Sequence, residues 1–164
     1  MKRILIILAL LGIVLTGCEK DSSKGGLSTE NLVQTLQGTW VAISSDKAYD
    51  GDLSNIDQHT DYTDLKNAPA LIFEENHVTK GMVNKSETAT AIRVSIYAYT
   101  LDFEVSDENH FSYIWHGSPN GTSTFENEYD GTHIVSIETS NSNSFATKIV
   151  YVRKDLPVEY DKKN

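Results

Sequence analysis

The chain has 164 residues, with 14 Lys and Arg against 23 Asp and Glu and a formal net charge of −9. That length suits one domain, and that charge excludes a nucleic-acid binder, whose partner requires a basic footprint. It equally argues against adhesion to anionic lipid through the protein surface, while a basic or neutral partner is permitted without being demanded.

The N-terminus is the most specific stretch. Lys2 and Arg3 precede an apolar run from Ile4 to Leu15, which has the charge and length of a signal peptide. It falls short of the roughly 20 apolar residues that span a bilayer. Leu15-Thr16-Gly17-Cys18 follows and resembles the lipobox of bacterial lipoproteins at all four positions. The resemblance implies a diacylglyceryl group on the Cys18 thiol, cleavage before it, and acylation of the freed amine. Cys18 is the only cysteine, so no disulfide can form within the chain. Loss of residues 1–17 leaves 147 residues and takes the basic count from 14 to 12, for a mature charge near −11. Two or more acyl chains hold a protein firmly, at about 0.8 kcal/mol per buried CH₂. The expected partner is therefore a membrane, reached through the lipid anchor. The expected address is the bacterial cell envelope, on the outer membrane in preference to the inner.

Residues 18–27 then read as the lipidated Cys and a flexible tether. Glu19 to Gly26 offers no apolar side chain to dock, and eight such residues reach roughly 25–30 Å at most. Glu19 and Asp21, interrupted by Lys20, are similar to the surface-export signal of Bacteroidetes lipoproteins. Periplasmic and surface faces both stay open. A short helix is expected over residues 28–37, capped by Ser28 or Thr29, with Glu30 in its first turn and Leu32, Val33 and Leu36 on one face. Gly38 ends it.

Leu36-Gln37-Gly38-Thr39-Trp40 opens the first of a series of strands, and its Gly-x-Trp resembles the opening signature of lipocalins. More closely, the chain resembles the small lipocalin-like lipoproteins of Bacteroidetes-type bacteria. The implied fold is all-β: an antiparallel up-and-down meander of eight to ten strands over residues 28–154, closed into a lipocalin-like barrel with a short N-terminal helix. The implied closure pairs Trp40 with Arg153 of the last strand, stacked as cation over indole or, on the plainer reading, with Arg153 an exposed strand-end charge. Residues 155–164 read as a frayed polar tail.

Asp46 to Ala68 is the one long irregular stretch, rich in Asp with His59. Asp50-Gly51-Asp52-Leu53-Ser54 starts like a calcium loop, but Asn55 and Asp61 occupy the positions of the central Gly and the closing Glu. A solvated loop or lid is expected there. From Pro69 the punctuation is regular. Leu71 and Phe73 alternate up to a turn at Glu75-Asn76, and Val78 to Val83 returns. Thr88 to Val105 bends near Tyr97-Ala98, with Tyr99, Leu101, Phe103 and Val105 on one face. Phe111, Tyr113 and Trp115 form the inward face of the next strand. After turns at Gly117–Gly121 and Asp130-Gly131, His133, Val135 and Ile137 alternate inward, and Phe145 to Arg153 closes the series.

Catalytic signatures are lacking. There is no Gly-x-Ser-x-Gly, His-Glu-x-x-His, Cys-x-x-Cys or Gly-rich phosphate loop. His110 and His116 lie about 20 Å apart along a strand, too far to share a metal, and His133 reads as a satisfied barrel histidine. Neither an enzyme nor a bound cofactor or metal is expected. The candidate ligand-binding cluster is Tyr99, Phe103, Phe111, Tyr113 and Trp115, read either as packed core or as a cavity wall. Two functions follow: a binder of a small, largely apolar ligand, as the lipocalin resemblance implies, or a protein-interaction lipoprotein with a packed barrel and an acidic working surface. The latter class includes accessory subunits, inhibitors and immunity factors.

Overall fold

A computed structural model describes residues 29–65, 67–84, 92–116, 121–141, 144–155 and 157–161, without the side chains of 97–99, 158, 160 and 161. The expected leader, Cys18 and the expected tether lie outside these residues. The described chain is one short helix, α1 (Thr29–Leu36), followed by strands. Eleven strands are found among the described residues: β1 (Gly38–Ala48), β2 (Gln58–Asp61), β3 (Pro69–Glu74), β4 (His77–Asn84), β5 (Ile92–Asp102), β6 (Glu104–Val105), β7 (His110–His116), β8 (Thr122–Tyr129), β9 (His133–Ser140), β10 (Ala146–Lys154) and β11 (Val158–Asp161).

The strands form one curled, mostly antiparallel half-barrel with the order β11-β5-β4-β3-β1-β10-β9-β8-β7-β6. The first strand is its keystone. One edge of β1 pairs with β10 from Thr39↔Lys154 to Ala48↔Ala146, with a bulge between Ala42 and Ser44. The other edge is shared: Gly38 to Val41 pair with β3, and Ser44 to Lys47 with β2. The bulge bends β1 and strengthens its local twist, as one extra residue in a strand does.

The curl follows from what the inner face buries. One apolar cluster takes Leu32 and Leu36 from α1, Trp40 and Ala42 from β1, Leu71 and Phe73 from β3, and Val78 from β4. It continues through Phe103, Phe111, Tyr113, Phe125, Ile134, Ile149 and Tyr151. Residues from both halves of the sheet can share one core only if the sheet wraps round it. A smaller cluster on the outer face joins Val41, Ala70, Ile72, Val83, Ile92 and Val94 under Ala68, Tyr62 and Leu65.

Several expectations are met. The helix lies where its capping and periodicity placed it. Leu101, Phe103 and Val105 join the inner core while Thr100, Asp102 and Glu104 are exposed. Against β4, the register of β5 shifts between Thr79↔Thr100 and Gly81↔Ile96, so the extra residues fall at 97–99. Gly81 is required there, because a Cβ would lie 2.5 Å from Val94 Cγ1.

Other expectations are corrected. The stretch 46–68 contains β2, held to β1 by backbone pairing, and Tyr62, Leu65 and Ala68 near its end pack on the outer apolar cluster. The tail at 155–164 contains β11, parallel to β5 from Val158↔Ile92 to Asp161↔Ser95, with Arg93 and Glu159 3.2 Å apart. The extra strands β2, β6 and β11 take the count above ten. On β9 the faces are inverted: Ile134 and Ser136 are buried, whereas His133, Val135 and Ile137 lie on the other side. A slip of one residue exchanges the two faces of a strand.

Candidate functional site

The helix end is built from side chains of the sheet. The last four carbonyls of a helix lack partners within it, and three of these receive side-chain donors. Trp40 Nε1 donates to Leu36 O at 2.8 Å, Arg153 Nη1 to Thr35 O at 3.2 Å, and Gln37 Nε2 to Val33 O at 2.8 Å. Gly38, at φ +108°, lets the chain reverse into β1 beneath them. Gln37 also exchanges bonds with the β3–β4 turn, donating to Glu75 O at 2.9 Å and accepting from Glu75 N at 2.8 Å. That clasp holds Glu75 at φ +55°, a conformation an L-residue rarely adopts unaided.

Trp40 and Arg153 are register partners on β1 and β10, so both lie on the inner face. The indole is 2 % exposed and meets Tyr129 edge-on at 5.8 Å. The guanidinium is half-exposed, bonded to the helix end, with Nε 3.4 Å from Asp155. Arg153 is thus placed as a cation at a helix C-terminus, where it also favours the helix dipole.

The aromatic row divides along the molecule. Phe103 and Phe111 join Phe73 in a trio of edge contacts at 5.4–5.7 Å, in the same cluster as Trp40. Tyr113 is buried one inward step further from α1 and stacks on Phe125 at 4.6 Å, the planes 11° apart. Trp115, another step on, is only partly buried. The side chain of Tyr99 lies outside the described residues. Phe103, Phe111 and Tyr113 are packed core, and Trp115 leads away from it.

Polarity rises in the same direction. Along β8 the inward residues run Tyr129, Asn127, Phe125, Ser123, and along β9 Ile134, Ser136, Glu138. Asn127 and Ser136 are register partners, as are Phe125 and Glu138. Asn127 Nδ2 donates to Phe111 O at 3.1 Å and Phe125 O at 3.2 Å, but its Oδ1 and the Ser136 hydroxyl are buried without a hydrogen bond. Across from them, Lys80 reaches inward from β4. Its Nζ sits 3.6 Å over the centre of the Phe125 ring and, among the described residues, makes no hydrogen bond or ion pair. Burial pushes the Lys80 ammonium down to about 8, and the nearby Glu138 charge opposes that shift. Lys80, Glu138, Ser136 and Asn127 form the polar set that sequence reasoning missed. A lysine flanked by Thr79 and Gly81 carries no signal of facing inward.

The histidines are otherwise engaged. His77 pairs with Asp102 at 2.6 Å, His110 with Asp107 at 2.8 Å, and His133 with Asp130 at 3.2 Å. His133 is therefore satisfied, but in a turn on the outer side. His59 on β2 lies 2.5 Å from Asp46 on β1 and 3.1 Å from Asp61. No group of three or more His, Cys, Asp or Glu among the described residues is arranged to hold a metal. In the Asp-rich loop, Asp50 accepts from Asp52 N and Asn55 Nδ2, and Asp52 accepts from Ser54 N. Those carboxylates organise turns.

The bond to Asp46, then that to Asp61, raises the His59 pKa. A raised folded pKa means the clasp on β2 is fully present below the unfolded value of about 6.5 and is lost as pH rises through the folded value. The expected result is a stability gap between the wild type and His59→Gln that narrows on going from about pH 5.5 to pH 8.5. Denaturant unfolding of both proteins across that range measures it, and a gap that widens with pH contradicts the clasp. No protein-family model, curated protein or solved structure matches the chain, so the site is read from its own geometry.

Proposed function

We propose that this chain is an envelope-anchored lipoprotein whose curled sheet closes as a lipocalin-like barrel and holds a small, largely apolar ligand at the end away from α1. Support for closure comes from β5 and β6, separated in sequence by Phe103 alone. The first pairs with β4 and the second with β7, so one continuous segment is bonded to both arms of the sheet. The observation that carries the binding reading is the division of the inner face. It is packed beneath Trp40, carries the buried polar pair Asn127 and Ser136 level with Phe111 and turns half-buried at Trp115, giving the apolar wall and few polar groups that ligand sites use. The reading is of a binder, not an enzyme.

A second reading has its own support. Asp102, Glu104, Ser112, Tyr113 and Ile114 line an outer cavity of about 300 Å³, with Ile114 50 % exposed. An acidic, partly apolar depression is what a protein-interaction lipoprotein would offer to a basic partner. Native mass spectrometry of the purified full chain separates the two. A stoichiometric small-molecule adduct, lost in Trp115→Ala, is the expected result; a bare mass and no saturable uptake of apolar probes favours the outer surface. In cells, Cys18→Ala is expected to release the protein from membranes, and a variant that still sediments in high salt while acyl-labelled contradicts the anchor.

A further inference from the structure

We propose that the ligand carries an anionic head, a carboxylate or similar monoanion on an apolar body, which seats against Lys80 Nζ inside the sheet. The inference rests on the ligand-binding reading above and names the chemical class of its ligand.

Lys80 is the unusual group on the inner face. An ammonium has three donors, and here its near neighbour is an aromatic ring. Cation–π attraction compensates only part of the lost hydration when such a group is partly buried. Glu138 faces the same space as the register partner of Phe125, yet the two charges make no ion pair within 4 Å. The ammonium is thus held inward by ring contact and kept from collapsing onto the carboxylate.

The surroundings fit the head of a ligand rather than a structural ion pair. The Ser136 hydroxyl, one inward step from Glu138, is buried with its donor unused. Asn127 Oδ1 beside it is an unused acceptor. A buried polar atom without a partner is costly, and native proteins carry few. Two of them in one register pair, one layer from the Phe125 ring under an ammonium that makes no hydrogen bond or ion pair among the described residues, make a set that an anionic head with a bridging hydroxyl or water can satisfy. The stacked Tyr113 and Phe125 rings and the half-buried Trp115 supply the wall for an apolar body. Glu138 opposes any anion in that space, and it opposes a dianion about twice as strongly as a monoanion, so the site favours a single negative charge. The acidic protein as a whole repels anions, so affinity arises at short range and changes little with moderate salt.

The test uses two fluorescent probes that share one skeleton: 1-anilinonaphthalene-8-sulfonate and its neutral parent, N-phenyl-1-naphthylamine. Each is titrated into the purified full chain, with circular dichroism and thermal midpoints establishing that every variant is folded. The expected result is saturable binding of both, the sulfonate at least about tenfold tighter, as a charge-assisted hydrogen bond implies. Lys80→Met should abolish that preference while leaving the neutral probe's affinity unchanged, and Lys80→Arg should retain it. Glu138→Gln, which leaves Lys80 in place, should tighten the sulfonate alone. Equal affinities in the wild type, or a preference that survives Lys80→Met, overturn the anionic head and leave the apolar-ligand reading standing. Failure of both probes to saturate overturns the two readings together.

Discussion

Trp40→Ala lowers the stability of the domain by about 3–5 kcal/mol, the range for deleting a large buried aromatic. The indole is almost wholly buried, meets Tyr129 edge-on and donates to the last carbonyl of α1. Its loss opens a cavity and orphans a carbonyl at once, and both effects act in the same direction. Arg153→Ala costs less, about 0.5–1 kcal/mol, since the side chain is half-exposed and contributes one bond to a helix end. The two donors hold neighbouring carbonyls of one helical turn, so the double variant should depart from additivity by at least about 0.5 kcal/mol. Urea unfolding of the four proteins of the cycle measures this. Strict additivity contradicts the shared helix-end role.

Phe111→Ala and Trp115→Ala should differ sharply although both lie on the inward face of β7. Phe111 is 1 % exposed and touches Phe73 and Phe103, so its truncation costs about 3–5 kcal/mol. Trp115, larger but half-buried, should cost about 1–2 kcal/mol, because the space it vacates is reached by solvent instead of remaining a void. The same denaturant measurement reads both. Comparable losses would mean that the inner face is packed alike at both ends, and the ligand reading would fall with that result.

How much of this was legible in the sequence depends on how strongly each strand's side chains differ between faces. Leu101, Phe103 and Val105 against Thr100, Asp102 and Glu104 leave no ambiguity, and Phe111, Tyr113 and Trp115 set the face of β7 in the same way. Gly38 and Trp40 mark the reversal into β1 because only a glycine readily adopts φ +108° there. On β9 the rule fails. Val135 and Ile137 are the more apolar set, yet Ser136 and Glu138 point inward, because this side of the interior is polar. The short strands β2 and β11 escape notice for another reason. Gln58-His59-Thr60-Asp61 has no buried face, and its pairing rests on backbone bonds to β1.

The sequence alone therefore determined the local elements, since a period of two, a glycine and a bulky aromatic act within a few residues. It also carries the resemblance of residues 1–18 to a lipoprotein signal peptide with its lipobox, a reading that depends on composition and not on folding. Tertiary structure decided which end is packed and which is polar. Lys80 shares the face of Val78 on β4, and it meets Phe125 across the interior only because the sheet curls to bring β4 opposite β8. Trp40, Arg153 and Gln37 meet at one helix end only because β1, β10 and the β3–β4 turn converge there. Such contacts join residues far apart in the chain, and the curvature that brings them together belongs to the whole sheet and to no single strand.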